Sequence, residues 1–465
     1  RFAAPLPLSW LLVGAGGTVA VTALWLGVTD TEATDITPRR VGVIGPTAVS
    51  ILRSLARGVF AVAVVTVFVA GFTGRQVAAT NFATVFTWPV WVRGLALAAV
   101  LVGSLWPTLS PWRTLYDGLC RLEGAEVALL ETDAARLGRW PAVVGFLLLV
   151  GFVETLTVTP RSPSLTATVV AVYGLFVVAG AVFVGPAWFD RADPLGVLYR
   201  LFGRVAPVTT SRSDDGRLVV AVRSPWRGCL DAVADTPTVV FVVAAVYTVS
   251  FDGFANTRVY QSWLFGLDDL LGIGPRASIL LYVLGLGVFV LTFFLTARLT
   301  DTLGLQAGTA TTAEADGGTT SDSSTTHDGS IELQSDTDSA RSPAWRDTAR
   351  AFAPTVLPIA AAYEVAHNYT YVVGSLGRLV GVALEPVASV PPLDPLGWLS
   401  IPAFWVSQVA LIVGGHVVAV VAAHRVAVDR FPSLSAARRG HLPLVVLMVG
   451  YTVLSLWIVS QPVVR

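Results

Sequence analysis

Glu364 and His367, three residues apart in Glu364-Val-Ala-His367, are the pair in this sequence best suited to chemistry. On a helix that spacing puts a carboxylate and an imidazole on one face. Such a pair can hold a metal ion, pass a proton, or bond across to another helix. Arg93, Glu154, Asp252 and His416 also stand in apolar surroundings. Ionisable groups at membrane depth are costly and usually face a cavity or a partner. The six together are therefore the candidate cavity or ion path.

Carboxylate-bridged di-metal bundles carry a Glu-x-x-His pair on each of two helices. This chain has one copy in an apolar segment. Di-iron chemistry is disfavoured on that ground. A single divalent metal ion held by His367 and Glu364, with ligands from other helices, stays open as a cofactor. Such an ion would acidify its bound water and polarise a phosphoryl or acyl oxygen. The plainer alternative has Glu364 neutralised by Arg93 or protonated, and His367 bonding across helices. Asp252 precedes Gly253, and Asp-Gly most often marks a helix-end turn.

The elements that position these residues are apolar helices. The 465-residue chain is 54% hydrophobic and 13% charged, where a soluble protein carries about 25% charged residues. Stretches near the roughly 20 residues needed to cross a bilayer run over 10–28, 50–72, 84–105, 140–158, 165–187, 236–253, 276–299, 351–376, 400–425 and 442–460. The expected fold is all-α, a polytopic transmembrane bundle of about ten spans partnered by the lipid bilayer of the cell membrane. Zero net charge gives no basis for nucleic-acid binding. Cys120 and Cys229 have neither disulfide nor metal-type spacing.

Every basic residue is arginine. The gaps after spans one, three, five, seven and nine hold 2, 4, 7, 3 and 3 arginines, and the other gaps hold one each. Positive residues of short loops stay in the cytoplasm, so both termini are expected outside, the first after removal of a signal peptide. At about 1.5 Å per residue, His367 and Glu364 lie roughly 10 and 15 Å from the outer end of span eight. On the same rise Arg93 lies at about 13 Å, Glu154 and Asp252 within about 6 Å, and His416 deeper at about 22 Å. The first five are expected to line one cavity opening outward. Pro354 and Pro358 should kink span eight beside it.

Residues 1–303 form the first seven helices, with cytoplasmic interfacial segments at 106–139 and 188–237, and residues 346–465 form the last three. Between them, 304–345 is acidic and rich in Ser, Thr and Asp, and is expected to be disordered. This acidic, lysine-free character suits a high-salt cytoplasm, as in a halophilic archaeon. Pro194–Val205 and Trp112–Leu122 read as amphipathic helices covering the bundle or lying at the interface. Residues 217–223 read as a short strand. No lysine means no P-loop, and neither a nucleophile elbow nor a dinucleotide fingerprint occurs.

Several short segments, taken in order, resemble one family. They are Leu6-Pro7-Leu8-Ser9-Trp10-Leu11, the Asn81 segment, Pro111-Trp112-Arg113, Phe251-Asp252-Gly253, Ala366-His367, Asp394-Pro395-Leu396-Gly397-Trp398, Gly415-His416, Met448-Val449-Gly450-Tyr451-Thr452 and Ser460-Gln461. They are similar to those of the fenitrothion hydrolase-like polytopic membrane proteins. The resemblance implies a multi-pass membrane protein named for hydrolysis of an organophosphate ester, and brings no catalytic residues with it. Arg93 stands where that family has an apolar residue, and Asn368 where it has an aromatic one.

Three functions follow as expectations. The first is a transporter or channel-like protein for a small molecule or ion, with Glu364, His367 and Asp252 in its path. The others are a membrane-embedded metal-dependent hydrolase and a structural or assembly protein.

Overall fold

A computed structural model describes residues 8–28, 37–130, 138–316, 344–385 and 393–461. Fourteen helices carry the argument, starting with α1 (Leu8–Val28), α2 (Pro46–Thr73), α3 (Phe82–Val102), α4 (Pro111–Glu123), α5 (Trp140–Glu154) and α6 (Pro163–Val184). They continue with α7 (Pro194–Phe202), α8 (Thr236–Ala255), α9 (Arg258–Leu271), α10 (Arg276–Asp316), α11 (Ala344–Phe352), α12 (Leu357–Leu384), α13 (Ile401–Arg430) and α14 (Leu434–Ser460). All ten apolar stretches are helical. Seven helices among the described residues, α2, α3, α6, α8, α10, α13 and α14, are long and apolar enough to cross a membrane. The described apolar part of α1, Val13–Leu26, and α5, Trp140–Glu154, are shorter. The 28-residue α12 carries Glu364, His367, Asn368 and Arg378 along its length.

Helix starts are written in the sequence. Asn81, Ser110, Ser162, Asp193, Asp235, Ser400 and Ser433 each accept a backbone N–H of the helix they open, and proline follows several of them at the first position. Pro354 falls in a 3₁₀ turn, Ala353–Val356, that separates α11 from α12. Span eight is therefore not one continuous α-helix.

Burial sorts the helices. In α8, 78% of the apolar stretch is buried, against 22% in α2 and 17% in α10. A helix apolar on all sides must either be enclosed or meet lipid. Thus α8 is the central post, while α2 and α10 show exposed Ile51, Leu55, Val59, Val62, Val288, Leu291 and Leu295. Without a hydrophobic drive between helices in lipid, close packing holds them together. Where α2 meets α6, a Cβ on Gly71 would lie 2.5 Å from that of Ala167.

Three expectations need correction, and the strand reading is extended. Residues 194–205 hold α7, but it covers nothing: Leu195, Val197, Leu198, Tyr199, Leu201 and Phe202 are all buried. It pushes into the bundle against α3, α5 and α12, while Arg200 and, just past its end, Arg204 turn away to Asp190 and the Asp231 carbonyl. The strand expected at 217–223 exists as β3 (Leu218–Val222), yet it is the middle of three. It pairs antiparallel with β2 (Val208–Arg212) and, across a bulge between Arg40 and Gly42, with β1 (Arg39–Ile44). Asp252 does not end α8, which runs on to Ala255. Finally, α10 continues through residues expected to be disordered, up to Asp316, and a helix resumes at Ala344. The rest of that expectation, 317–343, lies outside the described residues.

Asp193 anchors α7. Its Oδ1 accepts from the Tyr173 hydroxyl at 2.6 Å and from Gly196 N at 3.1 Å, while Oδ2 accepts from Trp106 Nε1 at 2.6 Å. Burial pushes its carboxyl above the ordinary carboxylate range, and these three donations pull it back. Asp193→Ala removes a cap worth about 1 kcal/mol and strands two buried donors at about 1–3 kcal/mol each. The expected loss is about 3 kcal/mol or more by those figures, read as a lower unfolding midpoint in detergent. An unchanged midpoint would contradict this role.

Candidate functional site

Two of the helices are wound wide where they meet. In α3, residues Thr87–Gly94 are π-helical, and in α5 so are Leu147–Glu154. Pro89 explains the first, because a proline inside a helix has no N–H to give to the residue four before it. Single π turns occur mostly where a helix must re-aim a functional side chain. Each of these carries one charged residue near its end, Arg93 and Glu154 respectively.

The two side chains meet. Arg93 Nε donates to Glu154 Oε1 at 2.7 Å. Its Nη1 lies 3.1 and 2.9 Å from the two oxygens of Glu364 on α12. Its Nη2 stands 3.8 Å from Asp252 Oδ2 on α8, and the same oxygen is 3.4 Å from His367 Nε2. All three guanidinium nitrogens thus face carboxylates, each from a different helix. Planar, forked donors suit Arg for this arrangement.

Counted with every group ionised, the charges do not balance here. Three carboxylates surround one guanidinium. Protonation of His367 and of one carboxyl would bring the cluster to neutrality. Two polar atoms also lack partners: Glu154 Oε2 and Asn368 Nδ2, both buried. Asn368 follows Glu364 by four residues and so shares its helix face.

Exposure rises in one direction across the cluster. Side-chain exposure is 2% at Glu364, 7% at Arg93, 10% at Glu154, 23% at Asp252 and 30% at His367. The group therefore opens beside Asp252 and His367 and closes beneath Glu364. Below, a small cavity touches Arg93 and Glu364 and is otherwise lined by apolar side chains that include Phe146, Leu198 and Phe202.

The five residues expected to share a cavity are thus together. His416 is apart: it is buried on α13, its Nδ1 is 2.8 Å from the Ile412 carbonyl, and its Nε2 has no partner. The spacing of Glu364 and His367 did put them on one face, but with separate partners, Arg93 and Asp252. Among the described residues, no three His, Cys, Asp or Glu side chains form a group able to hold a metal ion. The position between the carboxylates belongs to the Arg93 guanidinium, so a divalent ion does not fit there.

Supporting residues were not expected. Tyr199 of α7 donates its hydroxyl to the carbonyls of Trp91 and Val92, at 3.0 and 3.1 Å, inside the π turn that carries Arg93. Trp91 packs edge-on to Phe60 and stacks on Trp106. Gly253 lets α12 close on α8, since a Cβ there would meet the Tyr363 hydroxyl at 2.5 Å. Pro89 inside an apolar run was the available signal for the first π turn; Tyr199 gave none.

Comparison with family models, curated proteins and solved structures finds no match to this chain. Fold and composition define a helical membrane protein with a charged cluster in its interior.

Removing one partner of a buried ion pair costs about 3–5 kcal/mol, because it leaves an unpaired charge. Arg93→Gln is expected to lose at least that much, seen as loss of the folded, monodisperse species in detergent. Glu154→Gln should be tolerated, since two carboxylates still face Arg93. Equal tolerance of both substitutions would refute the assignment of Arg93 as the central charge.

Proposed function

We propose that this chain is a multi-pass protein of the cell membrane that moves a proton or a small cation through a cavity open to the outside. The observation that carries the reading is the imbalance of three carboxylates around one guanidinium. A net negative charge away from water is expensive, so the cluster must take up positive charge. Intramembrane groups of this kind mark proton and ion pathways.

A lock between helices would need no such excess. One carboxylate per arginine suffices to join two elements, and a well-made lock leaves no oxygen like Glu154 Oε2 without a donor. The arginine distribution supports the orientation, with both termini outside and the His367 side of the cluster facing out. Hydrolysis of organophosphate esters, which the family resemblance suggests, would need the Arg93 guanidinium free to meet a phosphoryl oxygen, and carboxylates already face all three of its nitrogens.

The test is flux in proteoliposomes under an imposed pH or cation gradient. Wild-type protein should dissipate the gradient. Asp252→Asn, Glu364→Gln and His367→Ala should each slow it about tenfold or more, the scale of losing a charged partner worth over 1.4 kcal/mol. No flux, or flux indifferent to all three, sinks the proposal.

A further inference from the structure

The cavity beneath the cluster names the transported species. Its upper wall is polar, formed by Arg93 and Glu364; the rest includes Ala96, Phe146, Val150, Leu198, Phe202 and Val249. It has room for about one water molecule. Leu198 and Phe202 come from α7, which enters the bundle from the arginine-rich side and is too short to cross it. A hydrated metal ion would have to shed its shell against these side chains, and apolar constrictions of this kind exclude ions by dewetting. A proton needs only one water and one carboxyl.

We infer that the species moved is the proton, and that α7 seals the cluster from the cytoplasm through Leu198 and Phe202. This rests on the transport reading above. On the open side a proton from water adds to the His367–Asp252 pair. It passes to a carboxylate oxygen within the cluster and leaves from Glu364 to a cytoplasmic water admitted when α7 moves aside. Only O–H and N–H bonds form and break, and the cluster returns to its starting charge. Tyr199, on the same short helix, positions Arg93 by holding the Trp91 and Val92 carbonyls. Movement of α7 thus disturbs the seal and the central charge together.

Two measurements decide this. In a chain carrying Cys120→Ser and Cys229→Ala, a single cysteine is placed at Ala96 in the cavity wall. With α7 intact it should resist a membrane-impermeant thiol reagent applied from the cytoplasmic side of vesicles. Leu198→Ala with Phe202→Ala should raise its rate about tenfold by wetting the gap. Phe202→Leu, which keeps the wall apolar, should leave it unreactive, separating unsealing from unfolding. Reaction from the cytoplasmic side with α7 intact overturns the seal.

In proteoliposomes, wild-type protein should pass protons and exclude radioactive sodium and potassium. Saturable sodium or potassium flux without proton movement overturns the proton assignment. Absence of all ion flux overturns the transport reading and this assignment with it, while the labelling still judges the seal on its own.

Discussion

A guanidinium ion at bilayer depth has no water to hydrate it, so the protein must supply its entire shell. Around Arg93 that shell is three carboxylates from three other helices. The cost of desolvating each ion is several kcal/mol, recovered only through close, well-formed contacts. Much of the bundle's geometry follows from that demand. Helices α3 and α5 are unwound to the π form at the residues concerned. The central α8 runs past Asp252 rather than ending there, and Gly253 lets α12 approach it. Shifting any one of these four helices would move a charge away from its partner.

The sequence revealed the outline of this site, and the reason is simple geometry. A helix rises a fixed distance per residue, so depth can be counted from the end of an apolar stretch. By that count Arg93, Glu364 and His367 fell at about 10–15 Å and Glu154 and Asp252 within about 6 Å of the outer ends, and the five do converge. His416 fell deeper and stands apart. Depth says nothing about which way a side chain turns, however. Spacing put Glu364 and His367 on one face without disclosing that each has its own partner, Arg93 and Asp252 respectively.

Other features were hidden for distinct reasons. A π turn changes the rotation of a helix without changing its composition, so only Pro89 hinted at one. Helix α7 has polar arginines along one side and reads as a surface element. Its burial depends on Asp193, Trp106 and Tyr173 meeting from distant parts of the chain. Strands β1 and β2 are five or six residues long and rich in arginine or threonine. Short segments of that kind carry little periodic signal until a partner is found. The aromatic group around Trp91, with Phe60, Trp106, Trp112 and Tyr173, was likewise visible only as scattered apolar residues.

The small sheet bears on how the chain is assembled. Strand β1 precedes the second long helix, yet its hydrogen-bonding partner β3 lies more than 170 residues later, at Leu218–Val222. As the polypeptide emerges from the ribosome, several helices enter the lipid before β1 has anything to pair with. Contacts so remote in sequence form late, since the intervening loop must first be closed. The exposed edge of β1 must therefore stay solvated while nearly 180 further residues are made, a task suited to its two leading arginines. Closure of the sheet then marks the moment at which the early and middle portions of the nascent protein are joined on that face.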